Sequence, residues 1–289
     1  MKIGILRNPK SYLPEIAAYK KYLISKNFKV LINDKEQNLR QCQWIITFPG
    51  FFLRKNLNVK YIHDYASAST PPFSFLKDKL KIYFNLKPNF RLFNSLDLKN
   101  YYNFKDNTPF TIRTAGVDSF FFKSKKKKKK YDILYSGSYR KNLEKVLIKL
   151  LKLEFSILVL GKFKKEFINY FNNYNNINFK FIKNRCLLPS YYQKCEYGLN
   201  YMPNISPFNI QNSLKLLEYC ASNLKILSSD YLFARKFEKI HHGKFLFIDN
   251  INKKEEIINF NFITPNVKNY SWEKILDKIK FDKIFNKRV

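Results

Sequence analysis

Glycine is scarce in this sequence of 289 residues: there are seven, none arranged as Gly-x-Gly-x-x-Gly or as a phosphate loop ending in Gly-Lys-Ser/Thr. Both patterns bring backbone amides up to a nucleotide's phosphates, so dinucleotide oxidoreductases and phosphate-loop NTPases are disfavoured. No Asp-x-Asp pair occurs. A divalent metal is therefore not the expected clamp for a diphosphate, which leaves backbone N–H groups and basic side chains to hold one. The four cysteines, Cys42, Cys186, Cys195 and Cys220, form no Cys-x-x-Cys, and none of the three histidines sits at a spacing that completes a zinc site. Reduced thiols and no metal site are expected. The longest apolar stretch, around Phe155 to Leu160, is far too short to span a bilayer, and Met1 to Arg7 turns polar too early for a signal peptide. These features predict a cytoplasmic protein.

Acidic residues are also few, 22 against 54 Lys and Arg, which gives a net charge of +32. Such an excess raises nucleic acid as a partner, because cations that neutralise phosphates release counterions without reading sequence. The charge is spread along the whole chain rather than gathered with aromatics on one segment, so no nucleic-acid partner is expected. Attraction to an anionic membrane surface is the expected consequence, and a peripheral location on the inner face of the membrane follows. With 45 % hydrophobic residues there is ample material for a core.

The chain alternates short apolar runs with amphipathic segments. Lys2 to Leu6, Lys29 to Ile32, Trp44 to Phe48 and Val59 to His63 read as strands of a buried parallel sheet, and Pro14 opens a helix carrying Ile16, Tyr19 and Leu23. Lys125 to Lys130, six lysines in succession, cannot enter a core and mark the expected domain boundary. The rhythm then restarts. Asp132 to Tyr135, Phe155 to Leu160 and Asn178 to Ile182 read as strands, with helices at Leu143 to Leu151, about Lys164 to Phe171, and Pro189 to Lys194. The pattern predicts an α/β protein with two doubly wound parallel-sheet domains, residues 1–124 and 131–289, joined by the linker 125–130 and facing across a cleft.

One segment is more specific. Asn212-Ser213-Leu214-Lys215-Leu216-Leu217-Glu218-Tyr219-Cys220-Ala221, followed by Asn223-Leu224-Lys225-Ile226-Leu227, is an amphipathic helix running into a strand. It resembles the donor-binding segment of GT-B glycosyltransferases of the large retaining group, which commonly reads Lys-Leu-(Leu/Phe)-Glu-Tyr-(Met/Leu)-Ala before a Pro-Val-Val-Ala-like strand. Four other segments fall in the family's order. Asp132 to Ser138 looks like the first strand and turn of the donor domain, and Ile157 to Gly161 like its next strand. Thr114-Ala115-Gly116-Val117-Asp118 is similar to the Asn-Gly-Val-Asp turn, and Ile62-His63-Asp64 resembles the acceptor-domain strand end with its His.

The resemblance spans nearly the whole chain and implies two Rossmann-like domains, the first on the acceptor side, the second binding a nucleotide sugar. It implies transfer of a sugar to a glycan or polyprenyl-linked acceptor in cell-surface polysaccharide or glycoconjugate synthesis, without a metal or other cofactor. By that resemblance His63, Arg140 and Lys141 are the catalytic candidates. Gly137, Ser138, Gln211, Asn212, Ser213, Leu214 and Glu218 are the donor-binding ones, with Glu218 on the ribose hydroxyls and the helix N-terminus on the diphosphate. The family's first Glu, eight residues before Glu218, is Ile210 here. Asn209 or Asn212 would then have to contact the sugar. A GT-B protein that binds without turnover, or a basic nucleic-acid-binding protein, stands as the alternative. Ser271 onward matches the family's closing helix, which often crosses back to the first domain.

Overall fold

The computed structural model describes residues 1–9, 13–50, 58–123 and 127–286. Lys125 and Lys126 of the expected linker lie outside these. Contacts divide the chain into two units, Met1–Gly116 with Tyr270–Val289, and Val117–Asn269. The division thus falls ahead of the lysine run, and the closing segment, expected within the second domain, belongs to the first unit.

In that first unit six strands, β1 (Lys2–Leu6), β2 (Lys29–Asn33), β3 (Trp44–Thr47), β4 (Lys60–Tyr65), β5 (Phe90–Phe93) and β6 (Phe110–Ile112), form one sheet in the order β2-β1-β3-β4-β5-β6. Every pair is parallel. Continuous apolar sequence in β1 and β3 is what burial on both faces requires. One face is covered by the helix Pro14–Ser25 and by the helices Trp272–Ile279 and Phe281–Phe285. Their residues Tyr19, Leu23, Trp272, Leu276 and Phe281 share a core with Ile3, Ile5 and Ile46. Gly116 is needed here because a Cβ on it would lie 2.3 Å from the Trp272 ring.

A buried polar cluster sits beside that core. Arg113, 1 % exposed, donates through Nε and Nη2 to Asp64 at 2.9–3.1 Å, and the Tyr19 hydroxyl donates to the same carboxylate at 2.6 Å. Glu15 lies 3.6 Å from the guanidinium. Two charges removed from water this completely are stable only while both are present.

The second unit repeats the plan. Strands β7 (Tyr131–Ser136), β8 (Ile157–Leu160), β9 (Ile177–Lys180), β10 (Cys195–Asn200), β11 (Lys225–Ser228) and β12 (Leu246–Phe247) form a parallel sheet in the order β12-β11-β10-β7-β8-β9. The helices Leu143–Lys152, Leu214–Ala221 and Leu232–Ile240 belong to this unit, and Leu143, Leu147 and Leu150 pack on Ile133, Ile157 and Val159. Strand order reverses between β7 and β10, so the connections after these two strands leave in opposite directions and open a crevice at their carboxyl ends. Among the described residues no helix is long and apolar enough to cross a membrane.

Replacing one partner of the buried pair, Arg113→Met or Asp64→Asn, is expected to destabilise the protein by about 3–5 kcal/mol. The double replacement Asp64→Leu/Arg113→Met should cost less than either single change, as read from urea unfolding midpoints.

Candidate functional site

The crevice at the β7/β10 switch point collects most of the residues singled out in the sequence. Gly137 ends β7 with φ +149°, a conformation open to glycine, and its N–H donates to the Leu160 carbonyl at 2.9 Å. Gly161, at the end of β8, is pressed against it: a Cβ there would stand 2.1 Å from the Gly137 carbonyl oxygen. The two glycines let adjacent strand ends turn away at close range. Tyr135 donates its hydroxyl to the Ser138 carbonyl at 2.7 Å and fixes the turn. Arg140 follows, its guanidinium 5.0 Å from the Phe208 ring. Lys141 is exposed, and its carbonyl accepts from the Tyr201 hydroxyl at 2.7 Å. Ser138 also lines an open groove of about 660 Å3 with Tyr139, Lys162, Phe163 and Phe167.

After β10 the chain runs to the helix Leu214–Ala221. Ser213 is its N-cap, accepting from the Leu216 N–H at 3.3 Å and donating to Asn200 Oδ1 at 2.7 Å. The Ser213 hydroxyl is thereby committed to holding the helix, rather than offered to a ligand. Its first-turn N–H groups, at Leu214 and beyond, have no carbonyl one turn back to bond to. Half-buried Gln211 and Asn212 precede the cap. The enclosed Gln211 Nε2 and Asn209 Oδ1 make no hydrogen bond within the described residues.

Lys215, quoted within the motif but not singled out, stands in the same place. Its ammonium donates to the Tyr201 carbonyl at 2.5 Å and lies 4.6 Å from the Tyr135 ring. Burial, and then the nearby Arg140 guanidinium, hold its pKa well below the ordinary lysine value. A cation in the first turn of a helix opposes the helix dipole, so Lys215 is badly placed for stability and well placed for an anion. That mismatch was the available signal in the sequence. Arg140, Lys215 and the helix N-terminus together form a cationic corner at the switch point.

Glu218, one turn along, is 3 % exposed. Arg185 donates to its Oε1 and, through Nε, to Asp118 Oδ2 at 2.7 Å, while the Tyr192 hydroxyl donates to Oε2 at 2.9 Å. Burial raises the Glu218 pKa, and Arg185 and Tyr192 oppose the rise by stabilising its charge. The carboxylate expected to face a ribose is thus already held inside the unit by an Arg–Asp bridge, each oxygen keeping a lone pair beyond these bonds. Nothing in the sequence marked Arg185 among so many basic residues.

His63 is placed elsewhere. It lies in β4 of the first unit, with no exposed surface, and its Nδ1 is 3.5 Å from the Tyr65 hydroxyl. Burial and then Arg91 lower its pKa to about 3, so the ring is neutral at physiological pH. A side chain with no accessible atom cannot touch a substrate in this conformation, and the structure gives His63 the environment of a core residue. Among the described residues no group of His, Cys, Asp or Glu could hold a metal ion.

A lysine whose folded pKa is depressed destabilises the folded state wherever the unfolded chain is protonated, so the stability it withholds returns only as pH rises toward about 10.4. Lys215→Met is therefore expected to raise the thermal midpoint at neutral pH. The advantage over the parent protein should shrink steadily toward pH ~10.4, as followed in a series of melts.

No family model and no curated protein matches the sequence. Solved structures do match in fold. A glycosyltransferase from Rickettsia africae is 13 % identical with a TM-score of 0.67, covering 100 % of this chain and 99 % of its own. AviGT4, a glycosyltransferase involved in avilamycin A biosynthesis, is 10 % identical with a TM-score of 0.66, covering 98 % and 96 %. Anabaena HepE in complex with UDP is 11 % identical with a TM-score of 0.62, covering 98 % and 99 %. Likeness over whole chains at such low identity fixes the fold: this chain is built as the GT-B glycosyltransferases are, from two Rossmann-like parallel sheets.

Proposed function

We propose that the protein is a glycosyltransferase that takes a sugar from a nucleoside-diphosphate donor and passes it to a glycan or polyprenyl-linked acceptor. The observation that carries this reading is the cationic corner of the second unit, where Arg140, Lys215 and the N-terminus of the helix Leu214–Ala221 converge at the sheet's switch point. A diphosphate seated there would neutralise Lys215 and accept the helix's first-turn N–H groups. As the bond from the sugar's anomeric carbon to the β-phosphate oxygen breaks, negative charge grows on that oxygen, and cations fixed beforehand stabilise it more than they stabilise the donor. The acceptor oxygen forms the new bond to the anomeric carbon, and its proton passes to the departing diphosphate oxygen. With two side-chain cations at the corner, the step is proposed to need no divalent metal and no further cofactor.

Glu218 is proposed to receive the ribose hydroxyls on its remaining lone pairs. Asn209 or Asn212, both half-buried, is proposed to take over the sugar contact that Ile210 cannot make. Ser138 and Lys141, both exposed, are proposed to line the approach from the solvent side. HepE, a protein of the same fold, binds UDP, which makes UDP the first donor base to try. An anionic membrane surface is the proposed working location, supported by the net charge of +32.

Ile210 and the internal engagement of Glu218 also favour a second reading, in which the unit binds a nucleotide sugar and does not turn it over. A melt series against UDP, GDP, CDP, dTDP and ADP, with their sugar conjugates, separates the readings. One nucleotide should stabilise the protein by about 2.7 kcal/mol at a hundredfold excess over its Kd, roughly 5–10 °C for a protein of this size. The shift should vanish in Lys215→Met and Arg140→Ala. Release of that nucleotide in the presence of acceptor extracts, with chelator added, is expected, and Lys215→Met should lower it about 100-fold or more. Stabilisation without release would establish the binding-only reading. No stabilisation by any nucleotide would overturn both.

A further inference from the structure

The helix Ser74–Phe84 in the first unit is inside out. Its sequence, Ser-Phe-Leu-Lys-Asp-Lys-Leu-Lys-Ile-Tyr-Phe, offers enough apolar residues to line a core-facing stripe, yet the buried side is the polar one. Asp78 is 2 % exposed and accepts from the Ser69 N–H at 2.9 Å, from the Tyr101 and Tyr102 hydroxyls at 3.2 and 3.1 Å, and from the Lys81 ammonium at 3.1 Å. Lys81, also buried, donates to Ser69 Oγ at 2.8 Å. These bonds fix which side of the helix faces the protein. A carboxylate removed from water needs several partners, and here it has them.

What this orientation leaves outside is apolar. Phe73, Phe75, Leu76, Tyr83 and Phe84 are 74 %, 61 %, 56 %, 78 % and 61 % exposed. Within the helix, Leu76, half-exposed Leu80, Tyr83 and Phe84 follow one another at helical spacing and make a continuous stripe, with Phe75 off to one side of it. A contiguous apolar patch on a soluble surface marks a place of contact. Lys79 borders it, its ammonium 4.6 Å from the Phe75 ring, and exposed Lys87 follows in sequence, while the Lys77 ammonium donates to the Thr70 carbonyl at 3.3 Å. Apolar and aromatic side chains flanked by lysines match the boundary between acyl chains and anionic headgroups. Two copies of so positive a protein would repel one another across the same face, which disfavours a dimer there.

We propose that the exposed face of the helix Ser74–Phe84 is the surface by which the protein docks on an anionic phospholipid bilayer. Leu76, Tyr83 and Phe84 enter the acyl boundary, and Lys79 meets the headgroup phosphates. The inference rests on the membrane location proposed above and names the surface responsible for it.

Co-sedimentation with vesicles tests it at about 0.15 M salt, where charge acts over only ~8 Å. The comparison is between phosphatidylcholine vesicles containing phosphatidylglycerol and phosphatidylcholine alone. The parent protein should sediment with the former, and Leu76→Ser/Tyr83→Ser/Phe84→Ser should bind at least roughly tenfold more weakly. Lys79→Glu should weaken binding to the anionic vesicles alone. Ile240→Ser, which removes an apolar side chain 67 % exposed in the second unit, should bind as the parent does. Because the replaced residues are exposed, circular dichroism and melting should be unchanged. If the parent binds and the triple variant binds equally, this surface is wrong and diffuse charge suffices. If the parent does not bind, the membrane location itself fails. A concentration-dependent dimer of the lipid-free parent, lost in the triple variant, would overturn the proposal in favour of a second copy on this face.

Discussion

A parallel sheet in which the strand order reverses has one place where neighbouring strands send their connections to opposite sides. In the second unit that place lies between β7 and β10, and the rest of the candidate site is arranged by it. The turn after β7 delivers Gly137 and Arg140 from one side, and the segment after β10 delivers Ser213 and the helix Leu214–Ala221 from the other. Neither strand end alone would make an anion site. Placed together, they set a guanidinium, an ammonium and the start of a helix around one point, and Gly161 allows the crowding by having no side chain.

Polar groups inside the two units play opposite parts. Arg113 and Asp64 compensate each other's burial completely, and Tyr19 and Glu15 complete the shell. Asp118, Arg185, Tyr192 and Glu218 form a comparable chain, and the Tyr192 ring packs at tilted angles against Phe121 and Tyr219. Lys215 is different, because the charges nearest to it include another cation and no carboxylate lowers the strain. Its placement fits a site whose missing charge arrives with a ligand.

Much of this was legible beforehand. The strands that read as unbroken apolar runs, β1, β3 and β8, are where the pattern put them, because parallel strands buried on both faces leave no room for polar side chains. The helix Leu214–Ala221 and its place before β11 were equally plain. β10 was not: Cys195-Glu196-Tyr197-Gly198-Leu199-Asn200 is broken by Glu, Gly and Asn. The structure explains each interruption of that run: Glu196 accepts from the Lys225 ammonium of β11 at 2.6 Å. Gly198 makes room for the Tyr219 ring, 2.6 Å from where its Cβ would be, and Asn200 holds the Ser213 cap. The helix Ser74–Phe84 escaped notice for a related reason, its apolar residues facing outward. The engagement of Glu218 by Arg185 and the burial of His63 depend on contacts between segments far apart in the chain, and local pattern carries no trace of them.

The ring of Trp272, edge-on to Tyr19 and close against Gly116, ties the helix Pro14–Ser25 to a segment far away in the chain. With Leu276, Ile279, Phe281 and Phe285 it supplies a large part of the core over β1 and β3. On a ribosome the first unit is therefore the earlier to emerge and the later to close. Its sheet must wait, one face open, while the whole of Val117–Asn269 is made, on the order of ten seconds at ordinary elongation rates. The second unit has every strand it needs in one continuous stretch and can fold in that interval. The order of completion inverts the order of synthesis, and the nascent chain carries an unfinished apolar surface for which a chaperone is the natural cover.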